Sequence, residues 1–436
     1  MHIILDFVAV AVLVAGYRFA RQSGPSWRMG YIAFATLAAL RGMRLLAIQL
    51  REHIAHPPRF DFFCFWLDGR VALLYHNVYA PEFFHLIGDG LKQRADFVRE
   101  FLDVGFLYPP ISIVWFAPLG LFKNPQTAMA AWCAFLVVTL ALAITALWKQ
   151  FFREWGVGGI AIAAALVMLI PTLFPMFDVT QTVGIALLFA VLFRGDSNPW
   201  RCGLWIALAI SIKPFLITLL IVPILTRAWR SLSACAASLA ALTAAALALI
   251  SPAGFVTYIH DNPVTRVPGS MYYGMWNQSL LGWLLRFEHR EPASLAVGHE
   301  TLYLVLAALI ACATVVVCLR LVRINRDAAI AMSLLLGLLV YPQTLFTYTV
   351  LLALPIAIVW TQCLKRTPQH ALWIGLAIAM ITTMLGTPDG ILVYLGIIAT
   401  AAVVLVVGFT TNVAPRPSFV NIRGESSDLT GRPLGV

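Results

Sequence analysis

The feature that most constrains this chain is a near-continuous succession of apolar runs, separated by short charged or proline-containing turns. An α-helix needs about 17–25 mostly apolar residues to cross the roughly 30 Å hydrocarbon core of a bilayer. Runs of that kind occupy residues 2–20, 31–50, 127–148, 157–175, 231–250, 301–319 and 390–410. Shorter or interrupted runs occupy 109–122, 177–194, 202–226, 328–342, 347–362 and 371–387, so about 11–13 transmembrane helices are expected. Only 11% of the residues are charged, against roughly 25% in a soluble domain, so lipid must cover most of the surface. The expected fold class is all-α: a polytopic integral membrane domain over residues 1–410 and a polar, Pro/Gly-rich cytoplasmic tail over 411–436 that reads as disordered. The first run lacks a basic lead-in and a small-residue cleavage site, and reads as a retained helix rather than a signal peptide.

Charge orients the chain. A net charge of +10 could suggest nucleic acid, but the excess lies in short loops, as the positive-inside rule expects of cytoplasmic connections. The turns around Arg18/Arg21/Arg28, Lys149/Arg153, Arg194/Arg201, Arg227/Arg230, Arg320/Arg323/Arg326 and Lys365/Arg366, with the tail, carry a net charge of about +12. Two longer loops behave oppositely: 51–107 holds six basic and eight acidic residues, and 251–300 three basic and four acidic. These are the expected extracytoplasmic loops, and they hold seven of the nine histidines. Binding and catalytic groups gather on loops above a rigid scaffold, so the working face is expected to be the outer one. Segments 109–122 and 202–226 resist a simple up-and-down count. The first is short enough to be re-entrant, and the second has basic residues at both ends and a break at Lys213-Pro214. A broken helix at membrane depth requires protein or a watery cavity to satisfy its backbone.

Six of the seven cysteines lie in apolar segments, only Cys64 is in a loop, and no CxxC occurs. Buried thiols are the expected role. The outer-loop histidines His53, His56, His76 and His85 lack ligand spacing, and no HExxH, P-loop, GxSxG or dinucleotide fingerprint is present. Neither a metal nor a cofactor is expected.

The polar residues that remain are few. Lys213, in SIKPF, is costly at membrane depth and should face a polar cavity; an ammonium beside a helix break suits a phosphate group. It could equally snorkel or pair with Asp178. Asp61 and Asp68, in RFDFFCFWLDGR, would share one helix face, and a buried carboxylate there could deprotonate a hydroxyl. A capping or salt-bridging role is the simpler alternative. Tyr108 precedes two prolines that stiffen the next segment, although a tyrosine at the membrane boundary needs no further explanation. Asp178 and Gln181 in FDVTQT could bind sugar hydroxyls or form a polar turn. Asn277 and Gln278, in MYYGMWNQSLLGW, suit a carbohydrate or an interfacial helix. Tyr341 to Tyr348, YPQTLFTY, is a third polar-aromatic turn or a simple helix connection.

In this order the segments resemble the family 87 glycosyltransferases, a branch of the GT-C membrane enzymes that use polyprenyl-phosphate sugars. The matching positions are Asp61 with Tyr79, Tyr108-Pro109-Pro110, Thr180-Gln181, Ile212-Lys213-Pro214 followed by Arg227 and Arg230, Asn277-Gln278-Ser279, and Tyr341-Pro342 through Tyr348. They span roughly residues 55–360. Thr180 stands where the family has glycine, the asparagine after Gln181 is missing, and Thr347 or Tyr348 stands where it has histidine. The resemblance implies a GT-C-type fold and inverting transfer of a hexose, mannose by family analogy, from a polyprenyl-phosphate-linked sugar donor to a lipid, glycan or protein acceptor at the extracytoplasmic side of the cell membrane. Asp61 would be the general base. Lys213, with Arg70 or Arg266, would hold the donor phosphate. Asp68, Tyr79, Tyr108, Asp178, Gln181, Asn277, Gln278 and Tyr348 would contact sugar or acceptor. Membrane lipids are the other expected partners, and nucleic acid is not. Two rivals stay open: a transporter or flippase, which would be expected to show inverted repeats, and a surface-polysaccharide polymerase or ligase.

Overall fold

We describe the protein from a computed structural model, which covers residues 2–55, 60–88, 105–178, 180–261, 267, 269–290, 295, 297–362, 367–385 and 390–410. These residues form helices, and apart from an isolated bridge between Asn277 and Leu345 they hold no β-pairing. In chain order the principal helices are α1 (His2–Gln22), α2 (Pro25–Ala55), α3 (Phe60–Tyr75), α4 (Pro81–Gly88), α5 (Pro125–Leu147), α6 (Gly158–Met168), α7 (Leu173–Asp178), α8 (Val183–Gly195) and α9 (Pro199–Ile212). They continue with α10 (Trp229–Asp261), α11 (Leu280–Phe287), α12 (Thr301–Ile324), α13 (Arg326–Val340), α14 (Pro368–Leu385) and α15 (Gly390–Thr410).

Among the described residues six stretches are long and apolar enough to cross a membrane: Pro25–Glu52, Pro125–Trp155, Trp229–His260, Thr301–Ile324, Pro368–Leu385 and Leu392–Thr410. Six shorter apolar helical stretches of 10–17 residues accompany them, among them Pro110–Leu121, Pro214–Leu225 and Phe346–Gln362. The protein is therefore an all-α, multi-pass membrane protein. One expectation changes. The run 157–175, taken as one crossing, is broken after Met168 because Pro171 cannot extend the helix, and α7 starts afresh at Leu173. Within the first loop α2 continues to Ala55, and α3 fills 60–75 as a helix with a buried face, which carries Asp61 and Asp68.

Close backbone approach sets α3. A Cβ on Gly69 would lie 2.3 Å from the Phe116 carbonyl oxygen, and one on Gly120 would lie 2.3 Å from Gly69. Only paired glycines let α3 and the Pro110–Leu121 segment touch at this distance. Phe65 stacks on Phe116 with ring centroids 4.3 Å apart, which fixes the rotation of α3 and hence the direction of its carboxylates. Beyond α3 the chain turns at His76, a left-handed residue (φ 56°). Its Nδ1–H donates to the Leu249 carbonyl at 2.9 Å. The kink of α10 at Ser251-Pro252 meets this corner, where Ser251 Oγ donates to the His76 carbonyl at 3.2 Å. At the other end of the bundle Arg194, buried, holds Asp327 through Nε and Nη2 at 3.1 and 2.5 Å and donates to Gln150 at 3.1 Å. That ion pair ties α8 to α13.

Candidate active site

The site forms where three helix breaks meet. α9 stops at Ile212 because Pro214 has no N–H and its ring forces the preceding residue out of the helical region. Lys213 is accordingly extended (φ −141°, ψ 97°), although its N–H still closes the last turn on Ala209 at 2.9 Å. The break directs the lysine into the protein, where it is 1% exposed. The second break carries Thr180-Gln181 between α7 and α8, with Thr180 left-handed at φ 55°. Its carbonyl accepts from Trp132 Nε1 at 3.0 Å, and Gln181 N–H returns to the Met176 carbonyl at 2.9 Å. The third is the irregular turn into Phe346–Leu352, which presents Tyr348.

Three side chains meet around Lys213 Nζ: Gln181 and Tyr348 from these breaks, and Tyr108. The ammonium donates to Gln181 Oε1 at 3.0 Å, to the Tyr348 hydroxyl at 3.0 Å and to the Tyr108 hydroxyl at 3.2 Å. It also sits over the Tyr348 and Tyr108 rings, 4.3 and 5.1 Å from their centroids. Gln181 then donates through Nε2 to Asp61 Oδ2. This fixes the amide's orientation, since an ammonium can only donate and a carboxylate only accept. All three lysine protons go to neutral oxygens, and among the described residues no carboxylate lies within ion-pair distance of it. Each tyrosine oxygen that accepts from Lys213 keeps its own O–H free to donate elsewhere. The result is a positive corner edged by two hydroxyl donors, one amide away from a carboxylate.

Asp61 lies in the first turn of α3, which is not one of the membrane-crossing stretches. Burial pushes its carboxyl up to about 6, while the Gln181 hydrogen bond and the Lys213 charge both hold it down. Asp68, two turns on along the same face, is 2% exposed, and its Oδ1 has no hydrogen-bond partner. Burial alone raises its carboxyl well above the usual range.

The other residues singled out in the sequence divide. Tyr79 borders the cluster but spends its hydroxyl on the Tyr108 carbonyl at 2.7 Å, which anchors the Tyr108-Pro109-Pro110 turn. Arg70 donates to the Gly120 carbonyl at 3.1 Å, so it braces α3 against its neighbour rather than pointing at Lys213. Asn277 gives its amide to the Tyr272 and Pro342 carbonyls at 3.0 and 2.9 Å and accepts from Ser279 N–H at 3.1 Å. Ser279 caps α11 and also donates to Pro342 at 2.7 Å. The Asn-Gln-Ser segment thus clamps the 342–345 turn that leads to Tyr348. Gln278, buried beside it, donates to the Met275 carbonyl at 2.5 Å and keeps an unpartnered Oε1. Asp178 ends α7, but its side chain, like Arg266 and the tail 411–436, lies outside the described residues. Whether Lys213 pairs with Asp178 therefore lies outside the described residues, among which Gln181 and the two tyrosines meet the ammonium.

Sequence reasoning missed three supports. Ser211 accepts at Oγ from Trp115 Nε1 at 2.9 Å, and its carbonyl accepts from Ser112 Oγ at 2.7 Å, which fastens the broken end of α9 to the Pro110–Leu121 segment. Phe215, just past the break, stacks on Tyr348 at 5.4 Å and packs on Tyr341 at 5.2 Å. Their signal was proximity in sequence to Lys213-Pro214.

The scaffold is a multi-pass helical bundle in which a half-buried carboxylate and a buried ammonium share one amide. The protein belongs to glycosyltransferase family 87, whose model matches residues 106–347, more than half of the chain. The chain is 29% identical over 259 residues to an α-(1→3)-arabinofuranosyltransferase of Corynebacterium glutamicum, a match covering 53% of this chain and 61% of the relative. Proteins of the same description from two strains of Mycobacterium tuberculosis are 29% identical over 210 residues, covering 43% of this chain and 46% of theirs. The chain thus spans about half to three fifths of the length of these curated relatives. No solved structure matches it.

Proposed function

We propose that the protein moves a sugar from a polyprenyl-phosphate carrier to a hydroxyl of a glycolipid or glycan at the extracytoplasmic face of the membrane. The observation that carries this reading is the Asp61–Gln181–Lys213 relay, which sets a base beside a cation that has no carboxylate partner among the described residues. Asp61 takes the proton of the acceptor hydroxyl, whose oxygen attacks the anomeric carbon. The bond from that carbon to the phosphate oxygen breaks, and the electron pair leaves with the phosphate. Such a leaving group needs charge stabilisation more than a proton. It receives it from the Tyr108 and Tyr348 hydroxyls, which Lys213 polarises from behind. A single displacement inverts the anomeric centre. Asp68, buried with one oxygen free, is placed to accept a hydrogen bond from the acceptor, and Gln278 Oε1 offers a further acceptor near the clamp.

The resemblance alone implied a hexose, and mannose in particular. The relatives carry the name arabinofuranosyltransferase, and their similarity favours a pentofuranose as the sugar transferred here. Purified protein supplied with labelled polyprenyl-phosphate arabinofuranose or mannose and a mixed glycolipid acceptor tests both points. Transfer of the pentose that is lost in Asp61→Asn supports the reading; vectorial movement of the lipid without transfer would overturn it.

A further inference from the structure

At the end of the bundle away from Lys213, α1 carries an arginine whose buried nitrogens have no partner. Phe152 meets Tyr17 there with ring centroids 5.8 Å apart, and the Arg194 guanidinium sits 4.1 Å from the centroid of the Phe151 ring. Arg18 is the next residue along α1. Its Nε and Nη1 are buried, and neither finds a hydrogen-bond acceptor among the described residues. The acids at this end are engaged elsewhere. Glu154 accepts from the Tyr17 hydroxyl at 3.1 Å and pairs with Arg21 at 2.6 Å, and Asp327 holds Arg194 at 2.5 Å.

The register of α1 against α14 places the guanidinium. Ala11, Val14, Ala15 and Arg18 fall at i, i+3, i+4 and i+7, one stripe of the helix. A Cβ on Gly375 of α14 would lie 3.2 Å from Ala15 N and 3.5 Å from the Ala11 carbonyl oxygen. The direction of α14 follows from α15. A Cβ on Gly408 would lie 2.8 Å from the Cβ of Ala328, beside Asp327, whereas one on Gly396 would lie 3.2 Å from Leu385. Those two glycines are about 18 Å apart at 1.5 Å per residue. Leu385, the last residue of α14, is therefore far from this end, and Pro368, the first, is near it. Arg18 extends the Ala11–Ala15 stripe by one turn toward that helix start. The surroundings there are donors. The first turn of a helix presents N–H groups and the positive end of its dipole, and residues 363–366 just before it include Lys365 and Arg366 and no acid.

We infer that this crevice binds an oxyanion of the phosphate type, held by Arg18 at the start of α14. A buried guanidinium without a counter-charge is costly, and the positive end of a neighbouring helix adds to that cost. Water could take the protons of Nε and Nη1 but could not balance the charge. A phosphate does both. Its oxygens match the guanidinium fork, and the start of a helix favours the same charge. Arg21 and Arg28 are spent on Glu154, so Arg18 is the arginine of this corner left to receive it. A lipid headgroup and a free phosphate share this chemistry, and the test separates them.

Thermal unfolding of the full chain, delipidated in a non-ionic detergent, is that test. Saturating phosphatidylglycerol or inorganic phosphate should raise the unfolding temperature of the wild type by about 3–5 °C, as a ligand bound by the folded state alone does. Phosphatidylglycerol acting alone assigns a headgroup phosphate; inorganic phosphate acting at all assigns a free anion. A wild type that neither stabilises overturns the inference, as does an equal shift with phosphatidylcholine, and neither result requires a variant to fold. Arg18→Met should unfold no lower than the wild type without anion, because no internal partner is lost, and should show no shift with either ligand. A lower unfolding temperature for this variant without anion would reveal a partner inside the protein. A shift as large as that of the wild type would place the anion elsewhere. Both would overturn the inference. The readout is stabilisation by an anion, so failure of the transferase reading leaves it intact.

Discussion

Replacing Lys213 by methionine separates a cation kept for chemistry from one kept for structure. The substitution removes three hydrogen bonds, to Gln181, Tyr108 and Tyr348, each contributing about 1.5–3 kcal/mol when one partner is charged. It also removes the desolvation cost of a fully buried ion, several kcal/mol. The two nearly cancel, and methionine fills a similar volume beside the Tyr348 ring. Folding stability should therefore move by no more than about 2 kcal/mol, a net of these terms. Catalysis has no such offset: losing one group aimed at developing negative charge costs about 10²–10³ in kcat, or about 2.7–4 kcal/mol. Initial rates with labelled donor, at saturating and limiting acceptor, should show kcat falling by that factor with the acceptor KM little changed. A thermal unfolding series in the same detergent reports stability. If Lys213→Met keeps more than about a tenth of kcat, against the loss expected of a group that stabilises transition-state charge, the cation does not serve the leaving phosphate. If activity and stability collapse together, its role is structural.

Further outcomes follow from the same geometry. Asp61→Asn should lower transfer by about 10²–10⁴, the range for a general base, while donor binding by equilibrium dialysis is kept. Because burial lifts the Asp61 carboxyl to about 6 and a base must be ionised, kcat/KM should rise as the pH passes through 6. Gln181→Leu removes a contact that holds this carboxyl down, so the rising limb should move to higher pH; an unmoved limb would assign the titration elsewhere. Thr180→Gly should raise stability by about 0.5–1 kcal/mol, the relief of a left-handed β-branched residue less the added freedom of the unfolded chain, read as a higher unfolding temperature. Gly120→Ala should destabilise by at least about 1–3 kcal/mol, as overpacking does, because its Cβ would meet the backbone of Gly69. Wild-type stability in that variant would mean α3 and its neighbour are not in close contact.

The Lys213-Pro214 pair was legible because its chemistry is local. Proline dictates the break, the break dictates an extended lysine, and a lysine at that depth must find polar company. Sequence could also name Gln181 and the two tyrosines, since polar residues are scarce in so apolar a chain. It could not show that Gln181 stands between Lys213 and Asp61, because that depends on the rotation of α3. The rotation is set by the Gly69–Gly120 approach and the Phe65–Phe116 stack, contacts between residues some 50 apart that leave no periodic trace. The same limit hid the backbone carbonyls at positions 342 and 120 to which Asn277 and Arg70 donate. Polar side chains in an apolar chain were read as ligand contacts, yet irregular backbone inside a membrane protein needs donors of its own.

Thr180 shows how a departure from the family pattern becomes physical. Its φ of 55° is one that glycine adopts freely and threonine does not, which accounts for the family's glycine at this position. The chain keeps the conformation because the turn is held from both sides, by Trp132 on the Thr180 carbonyl and by the Gln181 N–H on Met176. The strained residue sits directly before the amide that bridges base and cation, so the turn's geometry, rather than the identity of its first residue, is what the site requires. The replacement of the family histidine follows the same logic. Tyr348 reaches Lys213 with a hydroxyl that accepts from the ammonium and can still donate to an anion. A neutral histidine could do the same with its two nitrogens, but its proton would be exchangeable near neutral pH. The tyrosine fixes the donor in place.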